Sequence, residues 1–176
     1  MDRLAETKRR FTTFQVDWCL ANPRWLPVFR FEVGETLVKG RRSLHYQRIR
    51  EAAKGVREIH GCYSWWVGPN QVYVGSFSPY GRKEFESGLE GRLHNYLQNH
   101  GKKDRPNTNK WVFDSLCRAM LEQYVELRVL RFEQVRINAR DFTFEEATND
   151  KAIILALESM LIASGRLEGG CQWNRT

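Results

Sequence analysis

Two periodicities alternate along this chain. Over residues 1 to 20 the apolar residues Leu4, Phe11, Phe14, Trp18 and Leu20 recur at spacings near three to four, which predicts an amphipathic helix ending before Asn22-Pro23. From Trp25 to Val33 the period drops to two: Phe29, Phe31 and Val33 face one way and Arg30 and Glu32 the other, as in a short strand. Ser43 can cap a helix running to about Glu58, with Leu44, Ile49, Ala52 and Val56 roughly on one side. Cys62 to Val67 and Val72 to Val74 are β-prone runs flanking Gly68-Pro69-Asn70-Gln71, whose residue types supply the backbone angles of a tight reversal, so the pair reads as a hairpin.

Beyond the hairpin, SFSPYGRKEFESG is too rich in turn formers to continue a strand. Leu89, Leu93 and Leu97 then recur every four residues in a helix from about Phe85 to Asn99. HGKKDRPNTN, from His100 to Asn109, is a loop. Asn109 can cap a further helix with Phe113, Leu116, Cys117, Met120 and Leu121 as its core stripe. Tyr124 to Ile137 alternates, is rich in β-branched residues, and gives the hairpin a third strand. Thr143 to Thr148 leads into an apolar helix that starts at Asp150 and is closed by Gly165.

With 176 residues and 41% hydrophobic content the chain is a single globular domain, or one with an appendage. No apolar run approaches the roughly 20 residues of a membrane helix, and MDRLAETKRR lacks the apolar stretch of a signal peptide, so a cytoplasmic protein with no membrane association is expected. Cys19, Cys62, Cys117 and Cys171 are too scattered for a metal pair and read as free thiols. The four histidines show no ligand spacing either. Lysine and arginine outnumber aspartate and glutamate by 28 to 21, a net charge of +7 that fits a polyanion partner, since each phosphate neutralised releases counterions.

Glu158 is the one carboxylate whose position demands explanation. Its neighbours on the helix are Ile154 at i−4 and Leu161 at i+3, so it emerges from or beside the buried face. It needs a partner: an arginine, a tyrosine hydroxyl or a metal ion. The hairpin carries its own signal, Gly61-Cys62-Tyr63 and Tyr73-Val74-Gly75, with the tyrosines ten positions apart and each beside a glycine that lets another group come close.

Those two tripeptides resemble the paired motifs of the GIY-YIG nucleases. LEGRLHNYL extends the resemblance, with Arg92 and Tyr96 one helical turn apart; so do Glu158 on the helix after the third strand and Asn174 in GGCQWNRT. The resemblance implies an α+β fold with a β-β-α-β-α core, a small antiparallel three-stranded sheet flanked by helices. It places a catalytic domain at residues 61–176 and an N-terminal accessory region at 1–60, mostly helical with a short strand and contributing DNA contacts.

It further implies that Glu158 holds one Mg2+ or Mn2+ ion per active site, which acts as Lewis acid beside the leaving oxygen. Arg92 would grip the scissile phosphate. Tyr63 would activate the attacking water, with Tyr73 and Tyr96 orienting water and phosphate and Asn174 completing the set. Tyr63, Arg92 and Glu158 must then share one cleft, on one side of the sheet. The implied activity is metal-dependent hydrolysis of double-stranded DNA. The compact chain is similar to the sequence-specific type II restriction enzymes of the family, which cut both strands as homodimers. A structure-specific repair or mobile-element nuclease, and a non-catalytic nucleic-acid-binding protein on the same fold, are the alternatives. Arg41, Arg42, Arg82, Lys83, Lys102, Lys103 and Arg105 are candidate phosphate contacts, set in a basic stretch and two loops.

Overall fold

The computed structural model describes residues 18–38, 41–48, 55–79, 88–97, 108–120 and 123–174. In chain order these form β1 (Trp18–Ala21), β2 (Arg24–Val38), β3 (Arg41–Arg48), a 3-10 turn at Val56–Glu58, β4 (Gly61–Val67) and β5 (Asn70–Phe77). Helices α1 (Gly88–Leu97) and α2 (Thr108–Ala119) follow, then β6 (Val125–Arg131), β7 (Gln134–Ile137) and β8 (Arg140–Thr143), and finally α3 (Phe144–Asn149) and α4 (Lys151–Leu167). The class is α+β, with antiparallel sheets. One sheet has five strands in the order β3-β2-β6-β4-β5 and the other three in the order β1-β7-β8.

The hairpin closes as its composition predicts. Val67 pairs with Asn70 around a two-residue loop, and Gly68 stands at φ +55°, a region that favours glycine. Its backbone N–H is tied to the carbonyl of Tyr124 at 2.9 Å, which fixes the turn against the entry to β6. β6 pairs with β4 on one side and with β2 on the other. The three strands β5-β4-β6 therefore lie within a larger sheet, because β2 and β3 extend it.

The N-terminal region differs from its sequence reading. The helix expected over 43–58 is instead strand β3 for Arg41–Arg48, paired with β2 through a register shift between Phe31 and Glu35. Backbone pairing with a fifteen-residue neighbour overrides a weak local helical pattern. Trp18 and Leu20, assigned to the first helix, sit in β1, which pairs with β7. The rest of that expected helix, residues 1–17, lies outside the described residues. A boundary at residue 60 would cut through one sheet, since β2 before it is bonded to β6 beyond it.

The long strand expected from Tyr124 to Ile137 divides at Phe132 and Glu133. There the Glu133 N–H donates to the Ala21 carbonyl at 3.0 Å and the Glu133 carbonyl accepts from Phe144 at 3.1 Å, which hands the chain from the large sheet to the small one. The last two helices carry proper starts. Thr143 and Glu146 form a reciprocal capping box on α3, and the Asp150 side chain accepts from the Ala152 N–H at 2.7 Å to open α4.

Each face of the five-stranded sheet is covered by different elements. On one, Phe29, Phe31, Tyr63, Trp65, Leu127 and Val129 pack against Leu89 and Leu93 of α1 and Val112 and Leu116 of α2. On the other, Cys62 and Leu130 pack against Val135, Ala147, Ile154 and Leu157, joining α3, α4 and the small sheet. With both faces covered, β4 and β6 are buried or half-buried along their whole length, the charged residues of β6 included.

Candidate active site

Strand alternation decides which of the candidate residues can meet. Tyr63 pairs with Gly75 on β5 and Val129 on β6, and its side chain enters the α1/α2 side of the sheet, where it is 2% exposed. Tyr73, opposite Trp65, shares that side and is half-buried, with its ring centroid 6.1 Å from that of Tyr63. The two glycines of the motif have specific tasks there. A Cβ on Gly61 would stand 2.5 Å from the Phe77 ring, and one on Gly75 would stand 2.6 Å from both Cζ and Oη of Tyr63. The close neighbour that the missing side chains admit is in each case an aromatic ring. Tyr63 thus lies across β5, the edge strand, with its hydroxyl over Gly75.

Arg92 is exposed on α1, the helix that buries Leu89 and Leu93 against the tyrosine side. Tyr96 lies on the same helix, one turn on, but its side chain is outside the described residues. Arg41 and Arg42 open β3, with backbone partners Val38 and Leu37, and their side chains are likewise outside the described residues. Arg82, Lys83, Lys102, Lys103 and Arg105 all lie outside them.

Glu158 is half-buried on α4, and α4 packs along β5 and β4. It belongs to the other face. Ile154, one turn before it, accepts a weak hydrogen bond from Cys62 Sγ at 3.7 Å through its carbonyl, and Leu157 packs beside Cys62. Burial pushes the Cys62 thiol far up from its ordinary value, and the Glu158 charge adds to the rise. The carboxylate is therefore felt on the Cys62 side of β4. Cys62 and Tyr63 are consecutive in one strand and point to opposite faces. The expectation that Tyr63 and Glu158 open into a single cleft on one side of the sheet is corrected accordingly: α4 covers the Cys62 face, α1 and α2 the Tyr63 face. The helix that carries Glu158 packs along β5, the strand that Tyr63 crosses from the other side.

Asn174 sits on that edge. Its Oδ1 accepts from the Val74 N–H at 2.8 Å and its Nδ2 donates to the Val74 carbonyl at 2.7 Å, so one side chain satisfies both backbone groups of the residue between Tyr73 and Gly75. The tail runs beside β5: the Cys171 and Trp173 N–H groups donate to the carbonyls of Gln71 and Val72 at 2.9 and 2.8 Å. Trp173 packs edge-on against Trp111 with centroids 6.0 Å apart, and Arg166 Nη2 donates to the Asn174 carbonyl at 2.6 Å. An aromatic anchor is what a terminal asparagine needs to stay in place. In this structure Asn174 is a clamp on the YVG strand.

For a metal ion the donor set is sparse. Among the described residues no group of three His, Cys, Asp or Glu side chains could hold one. Glu158 itself makes no hydrogen bond or ion pair among the described residues, so the arginine partner that would explain a half-buried carboxylate is not found there. A hard divalent cation accepts one carboxylate with waters and phosphate oxygens completing its shell, and Glu158 fits that role.

One charged cluster escaped the sequence reading. Glu126, on β6, has a side chain 4% exposed and is paired with Arg30 of β2 and Arg128 of its own strand at 2.8 and 2.7 Å. The signal was the Glu-x-Arg spacing, which puts Glu126 and Arg128 on one face of a strand, but Arg30 joins them only through the β2–β6 register. None of the four cysteines is in a disulfide, and among the described residues no helix is long and apolar enough to cross a membrane. No protein-family model, curated protein or solved structure matches the chain.

Proposed function

We propose that this protein is a divalent-metal-dependent DNA endonuclease with Glu158 as its metal ligand. The observation that supports this reading is Glu158: a half-buried carboxylate with no protein partner among the described residues, on a helix packed along the strand that Tyr63 crosses and Asn174 clamps. Bound Mg2+ or Mn2+ would supply Lewis-acid stabilisation of the leaving oxygen. Arg92, exposed on α1, offers a fork of donors to phosphate. Tyr73 takes the water-positioning role in preference to Tyr63, because a side chain 2% exposed is a poor contact for an attacking water. Tyr63 then acts as the packed support beneath it. The finer reading, a sequence-specific type II restriction enzyme that cuts both strands of DNA as a homodimer, rests on the motif resemblance.

A second reading, a non-catalytic nucleic-acid-binding protein on the same fold, is favoured by the burial of Tyr63 and its separation from Glu158 by the sheet. Incubation with supercoiled plasmid and Mg2+ separates the two. Discrete fragments, lost in Glu158→Ala while DNA is still bound, support the nuclease; binding without any cutting by the wild type supports the second reading.

A further inference from the structure

The face of the sheet opposite the tyrosines carries a fixed pair of guanidinium groups that the hydrolytic reading does not use. Arg30, Glu126 and Trp66 lie in one row across β2, β6 and β4: Glu126 is the register partner of Arg30 on one side and of Trp66 on the other. Arg30 donates Nε and Nη2 to Glu126 Oε1 at 3.0 and 2.8 Å, while Arg128 donates Nε to Oε2 at 2.8 Å. The Arg128 guanidinium lies 4.3 Å from the Trp66 ring centroid, and Trp25 stands beside that ring at 6.4 Å.

Stability alone does not account for this arrangement. A charge 4% exposed in mid-sheet is no better for folding than a well-packed apolar residue, and one arginine is enough to neutralise it. Two arginines leave the row with a net positive charge. Both spend Nε and Nη2 on Glu126, so among the described residues their Nη1 amino groups are uncommitted. Arg30 is 54% exposed and Arg128 20%, so these donors can be reached from solvent. A guanidinium already held by a carboxylate and a ring loses little freedom on binding an anion.

We propose that Arg30 and Arg128, held by Glu126 and Trp66, form a second contact for the phosphate backbone of DNA on the sheet face opposite Tyr63 and Tyr73. The net charge of +7 supplies the matching long-range attraction. The inference rests on DNA being the partner, as in the proposed function, but not on cleavage.

The test is binding of a fluorescein-labelled 30-base-pair duplex in EDTA across a salt series, followed by anisotropy. Arg30→Gln weakens binding roughly three- to tenfold and lowers the slope of log affinity against log salt by about 1, and Arg30→Gln with Arg128→Gln lowers it by about 2. Arg136→Gln, an equal change of charge at an exposed pair with Asp141 on the small sheet, leaves the slope unchanged. In the wild type, saturating duplex slows phenylglyoxal modification of Arg30, read by mass spectrometry, and this readout serves if the variants fail to fold. An unchanged slope in folded Arg30→Gln, an Arg30 modified at the same rate with and without DNA, or a wild type that does not bind the duplex overturns the proposal. Cleavage lost in Glu158→Ala with no effect of Arg30→Gln removes this contact and leaves the nuclease. A lowered slope in Arg30→Gln with no cleavage by the wild type does the reverse.

Discussion

Tyr63 lies over Gly75 so closely that residue 75 has no room for a side chain. A Cβ there would stand 2.6 Å from the tyrosine Cζ and Oη, and the ring, 2% exposed beneath α1 and α2, has nowhere to swing. The motif glycine is thus a packing requirement before it is anything catalytic. Gly75→Ala should destabilise the protein by about 1–3 kcal/mol through overpacking. Combining it with Tyr63→Ala should recover part of that loss, a coupling measurable as a non-additive double-mutant cycle in urea unfolding. Additive effects would mean that the two residues do not touch.

The Asn174 clamp predicts an ordering of two variants. Asn174→Ala removes two hydrogen bonds to Val74 and should cost about 1–3 kcal/mol. Asn174→Asp retains the acceptor for the Val74 N–H but sets an oxygen against the Val74 carbonyl in place of a donor. It should be at least as unstable as the alanine variant at neutral pH, and hydrogen exchange at Val74 should quicken in both. A stable Asp variant with a protected Val74 amide would contradict the clamp.

Thiol chemistry reports on the Glu158 side of the sheet. Cys62 is 2% exposed and its thiol is held far above its usual titration range by burial and by Glu158, so it should resist iodoacetamide at pH 8. Cys19, exposed on β1, should be alkylated quickly. Tryptic mass spectrometry would show Cys62 modified only after denaturation; rapid native labelling would mean that α4 does not seal this face.

Acid should weaken the start of α3 in a definite direction. The Thr143 backbone and hydroxyl hydrogen bonds hold the Glu146 carboxyl below its ordinary 4.5. A depressed folded-state value contributes stability that is present above 4.5 and is lost as pH falls through the lower folded value. Asp141, lowered by Arg136, adds the same sign. Glu146→Gln should therefore flatten part of the fall in melting temperature below about pH 4.5, relative to wild type. A parent slope that is unchanged in the variant would remove the capping box from the acid response.

Glu126 should show the difference between a shared and a single partner. Replacing Arg30 or Arg128 alone leaves one guanidinium on the carboxylate, a modest loss in unfolding free energy. Replacing both strands a charge 4% exposed and should cost about 3–5 kcal/mol, more than the two single effects together. Denaturant unfolding of the three variants decides it.

Local chemistry made much of this protein legible from its residues. The glycine-first turn at Gly68, the start of α4 at Asp150 and the leucine stripe of α1 are set by backbone angles, capping groups and side-chain spacing within a few residues of one another. So was the coincidence of tyrosine and glycine in the hairpin, although not the reason for it, since the ring over Gly75 comes from the neighbouring strand. What only the tertiary structure decided are the long-range choices: that Arg41–Arg48 is a strand on β2 instead of a helix, that β2 joins β6, and that α4 covers the face of Cys62 while α1 and α2 cover that of Tyr63. Those choices depend on which surfaces bury one another, and sequence spacing along a strand fixes alternation but not which helix arrives on which side.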